Sequence, residues 1–193
     1  MSFDQNDSKE IVINSTDKVL ISGKSGSGKT TLMISLIKGL EPVHFKLTGK
    51  PYIKIDPLQQ FGGEFIRYGD RISYDKVLSK MSETPPEFIV TDEADGFFPN
   101  RQTLSRIEND FIQIGRPCGL GGIFVTRRLA RLHTELVANA NKIFMFKLFS
   151  SADMQNLARA NFGDFIPVVS RLARFEFLYI DTDNNDYRVF DPI

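Results

Sequence analysis

The chain has 193 residues, of which 41% are hydrophobic and 25% are charged, a balance typical of one globular domain with a substantial core. Its 24 lysines and arginines equal its 24 aspartates and glutamates, which excludes a nucleic-acid binder that is basic over its whole surface but allows a local basic patch. The single cysteine, Cys118, excludes an internal disulfide.

Residues 1–10 are polar and acidic, and they predict a mobile arm ahead of a domain that spans residues 11–193. They lack the basic and apolar segments of a signal peptide, and no apolar run approaches the roughly 20 residues that cross a bilayer. We therefore expect a protein that is not secreted and has no transmembrane segment.

The first predicted elements are a buried strand, a glycine-rich loop and a helix. Val19–Ser22 is the apolar strand, and the helix is predicted over Lys29–Lys38, with Gly39 and Pro42 ending it. The loop between them, Gly23–Thr30, satisfies the pattern G-x-x-x-x-G-K-[ST] in full.

This pattern predicts a phosphate-binding loop. Glycines let backbone N–H groups wrap around phosphate oxygens, and the following helix directs its positive end at the same oxygens. Lys29 is predicted to reach the β- and γ-phosphates of ATP, and the Thr30 hydroxyl to ligate Mg²⁺. A chance glycine turn is the alternative, but the flanking strand and helix favour the functional interpretation. The predicted nucleotide-binding residues are Gly23, Ser25, Gly26, Ser27, Gly28, Lys29, Thr30 and Thr31.

Next in the chain come a strand over Tyr52–Asp56, a short helix over Tyr74–Met81 and a strand over Phe88–Thr91. The last of these strands ends in Asp92 and Glu93. Ligands bind at the carboxyl edge of parallel sheets, so we expect both carboxylates beside the phosphate loop. Asp92 is predicted to hold Mg²⁺ and Glu93 to activate the attacking water. Simple capping of the next segment is the alternative.

The rest of the chain continues the alternation of helices and strands. The predicted elements are a helix over Thr103–Ile114, strands over Ile123–Thr126 and Lys142–Leu148, a helix from the capping-box pattern of Ser150 and Asp153 to Asn161, and a hairpin of Arg174–Ile180 with Tyr187–Phe190. This order predicts an α/β fold: a single RecA-like P-loop NTPase domain with a mostly parallel central sheet, flanking helices and an antiparallel C-terminal hairpin at the edge.

Two arginines are candidates for a catalytic role. Arg127 follows a predicted strand directly, so it should lie on the phosphate edge and sense the γ-phosphate or contact a neighbouring subunit. Arg116 stands at a predicted helix end and is a candidate arginine finger for the adjacent subunit, a device worth on the order of 10³–10⁵ in rate.

The order of these parts resembles the FtsK–HerA superfamily of P-loop motor ATPases, and within it the genome-packaging ATPases of membrane-containing icosahedral viruses. The resemblance covers roughly residues 17–160 and is carried by Gly23–Thr30, Ile55–Pro57 with Gly63-Glu64, Ile89–Glu93, Gly115-Arg116, Thr126–Arg128 and Asn139–Leu148 with Asp153. The family commonly has Gln where this chain has Arg127.

The resemblance implies a hexameric ring that moves double-stranded DNA with ATP and Mg²⁺, with a capsid vertex or membrane proteins as further partners. It implies a location in the host cytoplasm or with the virion at its packaging vertex. Two other functions stay open from the residues alone. A P-loop kinase would need a lid and an acceptor pocket, and a nucleotide-dependent assembly switch would not need Glu93 for hydrolysis.

Overall fold

The computed structural model describes residues 11–49, 51–148 and 150–191. The predicted arm, residues 1–10, lies outside the described residues. Within them the chain forms the strands β1 Lys18–Ser22, β2 Ile53–Ile55, β3 Glu87–Thr91, β4 Leu120–Thr126, β5 Lys142–Phe146, β6 Phe177–Asp181 and β7 Asp186–Phe190. The helices are α1 Lys29–Thr48, α2 Arg71–Glu83, α3 Arg106–Ile114, α4 Thr134–Ala138, α5 Ser151–Arg159 and α6 Ile166–Arg171.

The described strands form one sheet in the order β2-β3-β4-β1-β5-β6-β7. Neighbouring strands from β2 to β5 are parallel, whereas β6 and β7 add an antiparallel hairpin at one edge. Ser22, the last residue of β1, pairs with Thr126 of β4 and Met145 of β5. The carboxyl ends of the parallel strands therefore meet at one edge, as the predicted fold class requires.

Alternating side chains along the strands supply two separate hydrophobic cores. Leu20 points into the larger core, which is covered by α2 to α6, whereas Val19 and Ile21 point into the other core, beneath α1. A strand directs successive side chains to opposite faces, so both faces of these apolar strands are buried. Helices on both faces leave the sheet edges as places where polar loops can gather.

The helix α1 runs ten residues past its predicted end at Lys38, through both Gly39 and Pro42. Its buried stripe of Met33, Ile37, Leu40 and His44 continues across the proline, which is itself exposed. This tertiary burial outweighs the backbone hydrogen bond that a proline removes from a helix interior. The helix ends instead at Gly49, whose left-handed backbone donates its N–H to the Phe45 carbonyl.

The capping box predicted for Ser150 and Asp153 does not form. The Ser150 side chain makes no capping hydrogen bond, and the Asp153 carboxylate accepts the backbone N–H of Ala130 at 2.7 Å instead. A capping box is present at α3, where Ser105 and Glu108 exchange side-chain and backbone hydrogen bonds. The two short helices α4 and α6 have no counterpart among the predicted elements.

None of the described helices combines the length and the apolar character that a membrane crossing requires.

Candidate active site

The glycine-rich loop is fixed at the carboxyl end of the central strand. The Gly23 N–H donates to the Thr126 carbonyl at 3.3 Å, and a Cβ at Gly23 would lie only 2.6 Å from Cβ of Phe146. Gly26 and Gly28 have φ values of 73° and 103°, in the region that favours glycine. Three glycines of the motif are thus explained by a close approach and by two left-handed turns.

The Lys29 side chain lies across the inside of this loop. Its Nζ donates to the Lys24 carbonyl at 2.8 Å, and only 7% of the residue is exposed. Burial lowers the pKa of Lys29, while the charges of Glu93 and Asp92 oppose that shift. A buried ammonium group gains most from a nearby anion, and a phosphate held by the loop would supply one.

The carboxylates of Asp92 and Glu93 lie directly after β3, at the same edge. Asp92 is anchored because its N–H donates to the Ile55 carbonyl at 3.1 Å and its Oδ1 accepts the Glu93 N–H at 2.9 Å. Burial raises the pKa of Asp92, and the charge of Asp56 raises it further. Burial also raises the pKa of Glu93, with a further contribution from Asp92.

The Glu93 backbone is left-handed, with φ 49°. This conformation is uncommon for a residue with a long side chain and carries strain of the kind that concentrates at functional sites. It turns the chain sharply after β3, so that the side chains of Asp92 and Glu93 border the same cavity.

The Arg127 side chain pairs with Glu93, with Nε 2.5 Å from Oε1. Arg127 directly follows β4, as predicted, and its side chain is 45% exposed, against 12% for Glu93. Arg127 opposes the effect of burial on the pKa of Glu93. The ion pair therefore favours the charged form of Glu93 against the effect of burial, and it orients the carboxylate.

One cavity of about 330 Å³ brings these groups together. This volume lies within the range typical of ligand sites. A larger cavity of about 750 Å³ runs along β2 and α2, but it contains none of these chemical groups. The smaller cavity is lined by Ser25, Gly26, Gly28, Lys29, Thr30, Thr31, Gln60, Asp92, Glu93, Arg127 and Phe175.

Of the predicted nucleotide-binding residues, Gly23 and Ser27 do not line this cavity. Gly23 supports the loop from behind, and Ser27 lines a second cavity on the β5 side of the loop, together with Ser25 and Gly26. Sequence reasoning did not identify Gln60 and Phe175 as cavity residues. Gln60 is held there by a turn in which Asp56 Oδ2 accepts the Phe61 N–H at 2.6 Å.

The structure does not bring Arg116 to this cavity. Its guanidinium makes two hydrogen bonds to Asp183, at 3.0 and 2.9 Å, and lies 3.6 Å from Asp17. Asp17 precedes β1 and Asp183 follows β6, so Arg116 lies at the sheet edge opposite the glycine loop. Its position at a helix end was predicted from the sequence, but within one subunit its partners are structural carboxylates.

The residues at the cavity fit a magnesium-bound nucleotide. The described residues contain no group of three or more histidine, cysteine or carboxylate side chains that could hold a metal by themselves. Magnesium at a phosphate site needs only one or two protein ligands, because phosphate oxygens and water complete its coordination. Thr30 and Asp92 both border the cavity and supply such oxygens.

A parallel sheet whose central strand leads through this glycine loop into α1 has the fold of the P-loop NTPases. No protein-family model matches the chain, and no curated protein sequence matches it. The solved structures that it resembles include B204, the DNA-packaging ATPase of Sulfolobus turreted icosahedral virus, with a TM-score of 0.78 and 21% identity over 94% of this chain and 100% of that chain.

Two further structures share the fold. The genome-packaging NTPase B204 of Sulfolobus turreted icosahedral virus 2, in complex with AMPPCP, has a TM-score of 0.76 and 21% identity over 94% of this chain and 100% of that one. The N-terminal domain of zonular occludens toxin from Neisseria meningitidis has a TM-score of 0.60 and 14% identity over 92% of this chain and 94% of that one. The fold that the sequence resemblance predicted is therefore confirmed.

Proposed function

We propose that this protein is an ATP-hydrolysing DNA translocase that powers the packaging of a double-stranded DNA genome into a viral capsid. The observation that carries the hydrolytic part is the convergence of Lys29, Thr30, Asp92, Glu93 and Arg127 on one cavity beside the glycine loop. The packaging part is supported by the shared fold with B204, which is described as a genome-packaging NTPase.

In the proposed reaction the loop N–H groups and Lys29 bind the phosphates and orient the γ-phosphate. Thr30 and Asp92 would hold Mg²⁺, which neutralises charge on the phosphate oxygens when it is bound. The Glu93 carboxylate orients a water molecule for in-line attack and accepts its proton. The raised pKa of Glu93 makes it a stronger base than an exposed glutamate, provided that it remains ionised.

Arg127 links nucleotide binding to this step. The Arg127 guanidinium is paired with Glu93. A γ-phosphate in the cavity offers a second anion to the same guanidinium, so Arg127 turns toward it and leaves the Glu93 carboxylate to the water. Arg127 can thus take the sensing position at which the resembled family commonly has Gln, because both side chains donate hydrogen bonds to phosphate oxygens.

The proposed assembly is a homo-oligomeric ring, a hexamer in our proposal, with DNA in its channel. A chain with a formal net charge of zero gains little from nonspecific attraction to phosphates. A ring multiplies a few loop cations several-fold around one duplex. We place the protein in the host cytoplasm or at the packaging vertex of the virion, in contact with capsid or membrane proteins there.

The test measures phosphate release from ATP and Mg²⁺ at low salt, with and without double-stranded DNA. We expect turnover by the wild type, stimulation by DNA, and a ring by light scattering in the presence of a nonhydrolysable ATP analogue. Glu93→Gln should still bind ATP but lose at least about 10²-fold in turnover, because the general base is gone.

Lys29→Ala is the binding control, and it should lose both ATP affinity and turnover. Unchanged turnover in Glu93→Gln would remove that residue from the mechanism. If the protein hydrolysed ATP but was not stimulated by DNA and formed no ring, the ATPase part of the proposal would stand and the DNA-translocase part would be wrong.

A further inference from the structure

The second cavity lies on the other side of the glycine loop from the carboxylates. It has a volume of about 390 Å³ and shares Ser25, Gly26 and Phe175 with the phosphate cavity. Its other lining residues are Lys24, Ser27, Phe146, Lys147, Ala173 and Arg174. The Phe175 ring therefore stands where the two cavities meet.

The order of the strands indicates the direction in which a bound nucleotide extends along the carboxyl edge of the sheet. The loop follows β1, and the carboxylates follow β3, two strands away on the β4 side. A triphosphate whose γ-phosphate faces Glu93 must extend its sugar and base toward the opposite side, which is the side of β5 and β6. Phe146 ends β5 and pairs with Phe177 at the start of β6, so the segment before β6 reaches the same edge.

The chemistry of the second cavity suits a flat, electron-rich group. Two aromatic rings and three cationic side chains line it, and none of its described lining residues is acidic. The Arg174 guanidinium lies 4.6 Å from the centre of the Phe175 ring, at cation–π distance. Bases stack on aromatic rings and arginine planes largely irrespective of their identity.

Phe175 is held at this position by the local backbone. Its φ of 70° is left-handed, which is a strained conformation for a bulky residue. The Glu176 carboxylate closes the turn by accepting the Ala173 N–H at 2.6 Å. The ring also lies against the loop, because a Cβ on Gly28 would be 3.7 Å from Cδ1 of Phe175. Even so, 38% of Phe175 remains exposed, as a binding surface requires.

We propose that the second cavity is the base-binding part of the nucleotide site, and that the base stacks on the Phe175 ring with Arg174 strengthening the stack. This inference rests on the proposed function, since it concerns the same nucleotide. It assigns Phe175 to nucleoside recognition and leaves the phosphates to the glycine loop. It also predicts tolerance among purine bases, because stacking reads a ring face and not a hydrogen-bond pattern.

The test compares two probes by calorimetry in the presence of Mg²⁺: a nonhydrolysable ATP analogue and inorganic tripolyphosphate, which lacks sugar and base. Phe175→Ala should raise the Kd of the analogue roughly 5- to 100-fold and leave that of tripolyphosphate unchanged. Phe175→Tyr should retain the analogue affinity of the wild type. Phe65→Ala, which truncates another half-exposed phenylalanine at the far edge of the sheet, is the matched control and should bind both probes normally.

Four results would overturn the inference. If Phe175→Ala lost affinity equally for both probes, the ring would act by supporting the glycine loop through Gly28. If the Kd of the analogue were unchanged in this variant, the base would lie elsewhere. A wild type that binds the analogue no more tightly than tripolyphosphate would show that the protein has a phosphate site but no base site. A wild type that binds neither probe would overturn the proposed function and this inference together.

Discussion

Glu93 combines two opposing electrostatic environments. Burial and Asp92 raise the pKa of its carboxyl, and Arg127 lowers it. The proposed general base must be ionised, so activity should fall as the pH drops through its pKa. The Arg127 guanidinium therefore contributes to the position of the acid limb of the pH–rate profile as well as to the binding of the γ-phosphate.

Arg127→Ala should move that acid limb to higher pH, because removing the cation raises the pKa of Glu93. It should also lower turnover by on the order of 10²-fold, as removal of a transition-state hydrogen-bond donor does. The measurements are kcat at its plateau and kcat/KM from about pH 5 to about pH 8, because kcat/KM reports the ionisations of the free enzyme, in which Arg127 is paired with Glu93. Arg127→Lys should keep the wild-type limb, and Arg128→Ala, an exposed neighbour, serves as the control. An unmoved limb in Arg127→Ala would contradict the role of the ion pair.

The positions of single residues at the cavity were predictable from the sequence where those positions depend on neighbours in the chain. The glycine loop and the Asp92-Glu93 pair are of this kind, since strand, loop and helix follow each other directly. Gln60 and Phe175 reach the cavities only through turns closed by Asp56 and Glu176. No local pattern marks either residue, so tertiary folding was needed to identify them.

At the scale of elements, the sequence predicted the strands well because apolar runs between turn residues are short and distinct. It ended α1 too early, since Gly39 and Pro42 are strong local stop signals and the buried stripe beyond them is a tertiary effect. The hairpin of β6 and β7 was predicted, although its first strand begins at Phe177 and not at Arg174. What the sequence did not reveal is how that hairpin is fastened to the rest of the sheet.

Arg116 supplies this fastening. Its guanidinium joins Asp183 in the hairpin turn to Asp17 before β1, and Asn141 donates hydrogen bonds to the same two carboxylates at 2.8 Å. Hydrogen bonding to Asp183 raises the pKa of Arg116, as expected for a cation held between carboxylates. The planar guanidinium of an arginine can form such a bidentate pair with a carboxylate, whereas the single ammonium group of a lysine cannot.

Arg116→Ala should lower the free energy of unfolding by about 1 to 2 kcal/mol, because the buried Asp17 loses a cationic neighbour and Asp183 loses its bidentate hydrogen bonds. Urea unfolding measures this free energy. Arg106→Ala, which removes a highly exposed pair with Asp110 on α3, should change stability by less than about 0.5 kcal/mol. A large fall in turnover with unchanged stability would instead favour Arg116 as a finger for a neighbouring subunit.

At the scale of the whole molecule, one buried lysine should make stability depend on pH. Lys18 is 2% exposed and its Nζ donates to the Ile112 carbonyl. Burial, aided by the charge of Arg116, lowers the pKa of Lys18 from 10.5 to about 8. Between these two values the unfolded chain binds more protons than the folded chain, so the free energy of unfolding rises with pH.

We expect the wild type to gain up to about 1.4 kcal/mol of unfolding free energy per pH unit relative to Lys18→Met over this window. Urea unfolding at about pH 7.5 and about pH 9.5 compares the two proteins. Higher pH is avoided because burial raises the pKa of Tyr74 above its ordinary value, which acts in the opposite sense. Parallel pH dependence in both proteins would contradict the prediction.

The left-handed backbone at Glu93 has a consequence for how this sequence can change over evolutionary time. Glycine or asparagine would relax that turn and relieve strain worth on the order of 1 to 3 kcal/mol, but neither could take a proton from water. Selection for a sturdier fold and selection for catalysis thus act in opposite directions on this position. A descendant that no longer needed to turn over ATP would be free to improve its stability by abandoning the glutamate.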